Sequence, residues 1–562
     1  MTSIDARDYI SLYGPTTGDR IRLGDTDLWV EVEADDTEAG EELVGGCGKT
    51  ARHGALVTPR AGRDSALDMV ILGVVLIDPI LGVRKTNIGI KDGRIVGVGR
   101  AGNPEVQTGV DLVVDSHTAM IPAEGLIATP GLVDSHVHLS NADLAQAALS
   151  SGITTIVGMG IGGVWDVGAN PETNLHSLIA GWSGIPINAA FLARGSSTST
   201  ELLERAALAG AGGYKIHEDW GASPAVIDKC LTVAEVTDLP VALHTDTLNE
   251  TGYLEDTIAA TRGRTVHAYH VEGGGGHPDL LRIVEHPHVL TSSTTPTLPL
   301  TPDTVAELGP MTMTVHRGHA SVASDVAIAA SRIREHAIAA ENALHDMGGI
   351  AIINSDALGM GRIAEMGRRA WQLAHVQAGL AGETGPDHPA NERVKRYLAK
   401  ITINPAIAHG LAAQVGSIAP GRIADILLWH PAWFGTSPET VVKSGFVAWG
   451  AAGSGSGSTR LTQPRRMRPF YGGLGDAPAR LAHVFVSTAA TENPASLSAL
   501  PSGRTYTAVT RSRGLTSADM LHNTANPRID AVGEPHPAIV NGREIPVHHA
   551  RRLPLTRLHH LA

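Results

Sequence analysis

Gly212-Gly213-Tyr214-Lys215-Ile216-His217-Glu218-Asp219-Trp220-Gly221 is the stretch on which the fold turns. Read as a strand from Gly213 to Glu218 that runs on into Asp219, it alternates faces. Lys215, His217 and Asp219 then point one way, Tyr214 and Ile216 the other. A lysine enters the same concave space as a histidine. Taken alone, the motif also fits a structural lysine paired with Glu218 or Asp219, because buried charges are normally paired. The residues around it decide between the two.

Outward from that strand the chain repeats one unit, beginning near Gly131. Apolar runs of about five to eight residues alternate with longer Ala-rich segments carrying Glu and Arg at helical period, the pattern of βα units on a parallel sheet. The candidate strands are 132–138, 154–160, 187–194, 213–218, 240–246, 265–272, 288–293 and 349–356. Eight such runs over about 225 residues predict an α/β fold built on a (β/α)8 barrel. Residues 1–130 read instead as a β domain, with short β-branched runs between Gly, Pro and Asp-Gly turns. Asp92-Gly93, set between 87–91 and 94–98, predicts a hairpin with a type I′ turn. The barrel is expected over 131–404. Ile423-Ala424-Asp425-Ile426-Leu427-Leu428-Trp429 reads as strand again, so 405–463 returns to the first β domain, making it a composite flanking domain. The Gly-Ser run 453–458 reads as a loop, and 464–562 is a C-terminal segment rich in Pro, Gly and His.

Composition narrows the function classes. Of 562 residues, 43% are hydrophobic and 18% charged, enough for a large core in two or three domains. Forty-four Lys plus Arg against 57 Asp plus Glu leave a formal charge of -13 with no basic stripe, which excludes phosphate-backbone binding as the main task. The apolar run 69–77 is too short to span a bilayer, and the polar start gives no export signal, so a cytoplasmic protein without membrane contact is expected. Cys47 and Cys230 are the only cysteines, so any metal must be held by His and carboxylate.

In such barrels chemistry sits where strands end. His136 and His138, two apart and therefore on one face, close the first strand. Lys215 and His217 close the fourth, His244 the fifth and Asp356 the eighth. On the sixth, His267 and His270 are three apart and face opposite ways; His270, nearer the glycine run 273–276, is assigned inward. One histidine in such a place is usually a satisfied core or surface residue. Five of them with a lysine and an aspartate, all at strand ends, are hard to explain as packing, because buried polar groups need partners. Imidazoles with a carboxylate and no thiolate suit Zn, Ni or Fe(II). A lysine desolvated beside metals loses its proton, and its amine then takes up CO2 as a carbamate with two oxygens able to bridge two metals. Such a pair polarises a carbonyl and lowers the pKa of a bound water.

His-x-His on strand one, lysine on four, histidines on five and six and aspartate on eight resemble the amidohydrolase superfamily, and within it the family of urease alpha (catalytic) subunits. The resemblance runs nearly end to end. It includes Tyr13-Gly14-Pro15-Thr16-Thr17-Gly18-Asp19, Lys215-Ile216-His217-Glu218-Asp219-Trp220-Gly221, His244-Thr245-Asp246-Thr247-Leu248-Asn249-Glu250, Arg393-Val394-Lys395-Arg396-Tyr397 and His522-Asn523-Thr524. It implies a urea-hydrolysing enzyme with two nickel ions bridged by carbamylated Lys215. One ion would be held by His244 and His270, the other by His136, His138 and Asp356. His217 matches the donor to the substrate carbonyl, Gly359 a position whose backbone carbonyl faces a substrate amide, and His316 a mobile-flap general acid supported by Asp219 and Arg332. Implied too are smaller beta and gamma subunits, nickel-insertion accessory proteins and an oligomeric assembly.

The chain departs from the family at the pocket walls. Val315 stands where the flap carries cysteine. Gly160-Ile161-Gly162-Gly163-Val164-Trp165-Asp166-Val167-Gly168 replaces a loop of small residues, 139–143 differs from the family's segment after the His-x-His, and the glycine loop 273–277 is shortened. Two alternatives to urea hydrolysis therefore stand: the same centre acting on another small amide, ureide or guanidine-like compound, and an inactive metal-binding paralogue with a structural role.

Overall fold

Eight apolar runs form one parallel sheet whose strands lie side by side in chain order: β1 (Leu132–His138), β2 (Ile153–Met159), β3 (Asn188–Arg194), β4 (Gly213–Ile216), β5 (Val241–His244), β6 (Val266–Tyr269), β7 (Val289–Thr294) and β8 (Ile352–Asn354). The computed structural model describes residues 4–44, 57–60, 62, 64–160, 168–245, 253–271, 279–457, 459, 461–533 and 536–556. Every residue of β1 and β2 is buried, as expected for strands covered by helices outside and side chains within. The ring closes just beyond β8. The His138 N–H donates to Ala357 O at 3.0 Å, and the Ser355 N–H to Asp134 Oδ1 at 3.1 Å.

One strand in the barrel wall comes from far along the chain. The first half of β3 pairs in parallel with His483–Val486, in register Ala189 to Val484 and Ala190 to Phe485; only Leu192 to Arg194 pair with β4. Thr505–Ala508 then pairs with His483–Val486 on its other side. The C-terminal segment thus fills the lower wall where β4 has not yet begun.

The flanking sheet draws on both ends of the barrel sequence. Met69–Asp78, buried at all ten positions, pairs with Gly82–Lys91 and with Ile127–Pro130, which in turn pairs antiparallel with Ile426–Trp429. Beyond Gly82–Lys91 the chain reverses through Asp92 and Gly93, at φ 48° and 73°, into Arg94–Gly99, the backbone a type I′ turn requires. A buried ion pair ties this sheet to the barrel floor. Lys443 pairs with Asp425 and donates to Thr154 O at 3.0 Å, while Asp425 Oδ2 also accepts from Asn188 Nδ2 at 2.7 Å. Each charge is therefore answered, the condition for burying one. Among the described residues no helix is long and apolar enough to cross a membrane.

Candidate active site

The upper ends of the strands surround a cavity of about 460 Å³. His136 and His138 enter from β1, Lys215 from β4 and His244 from the last position of β5. His217 follows β4 by one residue, His270 follows β6 by one, and Asp356 and Gly359 follow β8. Asp219, Val315 and His316 complete the mouth.

Three imidazoles converge on one carboxylate. His136 Nε2 and His138 Nε2 each lie 3.2 Å from Asp356 Oδ1, and His270 Nε2 lies 3.7 Å from Oδ2. Burial, then the nearby Lys215, holds His136 neutral by pushing its pKa well below the ordinary value. The backbone is held in a costly form to achieve this: His270 at φ 56°, Asp356 at 52° and Leu358 at 63° all sit in the left-handed region. Gly359 is required by proximity, since a Cβ there would lie 2.4 Å from Asp356 Oδ1.

Lys215 is the unusual member. Its amine is fully buried, has no hydrogen-bond partner among the described residues, and lies 3.8 Å from the centroid of the Tyr269 ring. Burial lowers its pKa from 10.5 to about 7. The structural ion pair with Glu218 or Asp219 is not formed: no carboxylate of the described residues lies within 4.0 Å of this nitrogen. The imidazoles, the carboxylate and an amine left without a hydrogen-bond partner among the described residues are the donors that divalent cations and a carbamate would satisfy. The residues present therefore fit the implied dinuclear centre.

The expectation that the strand runs on to Asp219 is corrected. β4 stops at Ile216, and Glu218–Trp220 is a turn of 3₁₀ helix. The cause is local: His217 Nδ1 accepts the Asp219 N–H at 3.2 Å, a side-chain to backbone bond that competes with the sheet ladder. His217 itself stays extended, at φ -144° and ψ 140°, and so still shares the cavity with Lys215.

That turn fixes two proton positions. With Nδ1 accepting from a backbone N–H, the His217 proton sits on Nε2, and burial followed by His244 keeps the ring neutral far below its ordinary pKa. Glu218 Oε2 lies 2.8 Å from His244 Nδ1 and 3.4 Å from His217 Nδ1. A carboxylate only accepts, so the shorter contact places the His244 proton on Nδ1 and leaves Nε2 its lone pair. His217 is thereby a hydrogen-bond donor and His244 a ligand, though their rings stack 4.1 Å apart.

His316 caps the helix Thr304–Val315, which follows β7. Its Nδ1 contacts Thr312 O at 2.9 Å, and its Nε2 contacts Arg332 Nη1 at 2.7 Å. A carbonyl only accepts and a guanidinium only donates, so the ring here is neutral, protonated on Nδ1. Arg332 thus stands against His316, whereas Asp219 lines the same cavity with a half-exposed carboxylate 3.9 Å from His217 Nδ1.

Two residues at the centre escaped the sequence reading. Glu218 was legible only as a possible partner of Lys215, yet it orients His244. Tyr269 stacks on His136 at 4.0 Å, under the Lys215 amine, and its hydroxyl donates to Ser135 O. Its place beside His270 in sequence was the available signal. His267 turns away from the cavity into a buried pair with His409, Nδ1 to Nε2 2.9 Å. The substituted loop with Trp165, the run 246–250, the glycine loop 273–277 and Cys47 lie outside the described residues.

Comparison with known proteins bears on the whole chain. The family described as urease alpha-subunit, N-terminal domain, matches residues 2–121, and the amidohydrolase family matches 127–461. A protein named urease subunit alpha from Sulfurisphaera tokodaii is 46% identical over 562 residues, covering 99% of both chains. Its counterparts in Natronomonas pharaonis and Staphylococcus aureus are each 44% identical, covering 100% and 98% of both chains respectively. Among solved structures, a D-hydantoinase aligns over 68% of this chain and 95% of its own, with 17% identity and a TM-score of 0.49.

Proposed function

Because this chain belongs to the urease alpha-subunit family, we propose that it hydrolyses urea to ammonia and carbamate with two nickel ions bridged by carbamylated Lys215. The observation that carries the reading is the Lys215 amine, fully buried and without a hydrogen-bond partner among the described residues, in a cavity shared with His136, His138, His244, His270 and Asp356. His136, His138 and Asp356 would hold one ion, His244 and His270 the other. When bound, the pair supplies Lewis acidity toward the carbonyl and activates a water at neutral pH. The donor set suits Zn²⁺ or Fe²⁺ as well.

The chain's own groups do the rest. His217 Nε2–H donates to the substrate carbonyl oxygen, an interaction that strengthens as charge develops there. The Gly359 carbonyl accepts from a substrate N–H. His316, with Asp219 and Arg332 around it, passes a proton to the departing nitrogen, which requires that its Nε2 leave Arg332 and carry a proton. The enzyme would work in the cytoplasm as the large subunit of an oligomer with beta and gamma subunits, after metal delivery by nickel-insertion proteins.

Uptake of CO2 needs the free amine, and its pKa of about 7 sets the pH at which that form appears. Below 7 the amine is protonated and inert; above, it is free. Metal incorporation at fixed dissolved CO2 is therefore expected to be half-maximal near pH 7 and flat above about pH 8. An unperturbed lysine, with a pKa of about 10.4, would still be climbing at pH 9. Metal per chain measured against loading pH separates the two.

Val315 lines the cavity where the family carries a cysteine, and it favours a second reading in which the preferred substrate is another small amide or ureide. Trp165, the other departure from the family, is proposed to act with it. Ammonia release from urea and from a panel of small amides, by protein loaded with nickel and bicarbonate, tests both. Loaded protein that leaves urea intact but cleaves a panel amide would replace the first reading with the second. The flap valine also removes a reactive thiol, and Cys230 is buried with its thiol pushed up to about 12 by that burial. Thiol reagents are expected to change kcat by less than about twofold, since the thiolate is the reactive form. Inactivation that persists in Cys47→Ser would contradict this.

A further inference from the structure

The turn Glu218–Trp220 serves two imidazoles at once, and its far end carries an aromatic ring with little core to fill. Trp220 is 43% exposed at the rim of the cavity. The Arg194 guanidinium lies over that ring, 3.7 Å from its centroid, in the geometry of a cation–π contact. Arg194 ends β3, and its surroundings are tightly built. Its N–H donates to Asn170 Oδ1 at 2.6 Å, and a Cβ on Gly168 would lie 2.4 Å from that same nitrogen. The next residues are joined to β4: Gly195 N–H donates to Lys215 O at 2.6 Å, and the Ser196 hydroxyl donates to His217 O at 3.2 Å. By contrast, the backbone bonds of the turn, Trp220 N–H to His217 O at 3.1 Å and Gly221 N–H to Glu218 O at 3.0 Å, are internal to it. Those two bonds shape the turn, and the Arg194–Trp220 contact joins its far end to β3.

We infer that the Arg194–Trp220 stack is a positioning clamp that fastens this turn to the end of β3, so that Glu218 stays on His244 Nδ1 and the Asp219 N–H stays on His217 Nδ1. Neither residue touches the reacting atoms. Their effect passes through the turn to the proton positions of two rings: the His244 lone pair toward metal and the His217 N–H toward substrate. Removing the ring or the guanidinium frees the turn, and both imidazoles then exchange between tautomers. Phenylalanine at position 220 keeps an aromatic face for the guanidinium and should preserve them. The inference rests on the proposed roles of His244 and His217, but its first readout needs no metal.

Full-length chain labelled with ¹⁵N at histidine is compared, metal-free, as wild type, Trp220→Ala, Trp220→Phe and Arg194→Gln. Ring nitrogen shifts, assigned by single His→Gln variants, should report Nε2–H for His217 and Nδ1–H for His244 in the wild type and in Trp220→Phe. Mixed tautomers are expected in Trp220→Ala and Arg194→Gln. After loading with nickel and bicarbonate, those two variants should also lose metal to a chelator at least about tenfold faster than wild type, the scale on which supporting residues affect metal affinity. Wild-type tautomers in both disruptive variants overturn the clamp, whatever the metal content. If the tautomers shift but loaded wild type holds no metal, the clamp stands and the dinuclear reading falls. Should Trp220→Ala lose cooperative unfolding, Arg194→Gln, which leaves the ring in place, decides the outcome.

Discussion

Lys215→Ala is expected to bind no more than a trace of metal after loading, and to release no ammonia. The substitution removes the group proposed to bridge both ions, leaving two cations facing each other without that anion between them. Mutual repulsion at such range is severe in a buried site, where the effective dielectric is far below that of water. The rest of the molecule should tolerate the change. Among the described residues the amine makes no hydrogen bond, and burying it carries a cost that alanine does not share. The variant should therefore be at least as stable to heat as the metal-free wild type, which separates loss of a ligand from loss of the fold. Elemental analysis and thermal unfolding together check it. Two tightly held metals per chain in Lys215→Ala would sink the bridging assignment, whereas recovery of binding with small carboxylic acids would support it.

The second large effect belongs to His316. Its replacement by alanine should lower kcat by about 10²- to 10⁴-fold, the range for loss of a positioned acid or base, with metal content unchanged. The unchanged metal content matters because His316 caps the helix Thr304–Val315 and holds no position among the proposed ligands. Arg332 adds a second test. It engages the same Nε2 that must carry the proton, so the active form is one in which that 2.7 Å contact is given up. Arg332→Gln should shift the pH dependence of kcat, because the charge nearest the imidazole is gone. A His316→Ala enzyme with wild-type kcat would reduce this histidine to a loop residue.

Much of the barrel and its polar ring was legible because it follows from period. In β1, the two-residue repeat alone puts His136 and His138 on one face, and the strand's position in the repeat says which end is catalytic. His270 could be preferred over His267 because it lay nearer the glycine run 273–276. The strands themselves are shorter than the runs read from the sequence: β5 stops at His244 and β6 at Tyr269. The turn at Glu218 was hidden for a sharper reason. It is made by one histidine accepting from the backbone two residues on, which leaves no mark on a pattern of polar and apolar letters. The task of Glu218 was hidden with it.

His483–Val486 was illegible because its four residues acquire meaning only beside β3, and nothing local encodes that register. The same distance has a consequence for how the molecule is made. About 290 residues separate Arg194 from Val486, so a ribosome adding roughly 5–20 residues per second presents β3 on the order of 15 to 60 s before its neighbour exists. During synthesis the lower edge of β3 is an open strand edge with apolar neighbours, the kind of surface that recruits other chains. Barrel completion thus waits for the C-terminal segment, and it is governed by a contact of very high sequence separation that is correspondingly slow to form. Chains truncated before residue 483 would carry every proposed metal ligand and still lack a finished wall to hold them in place.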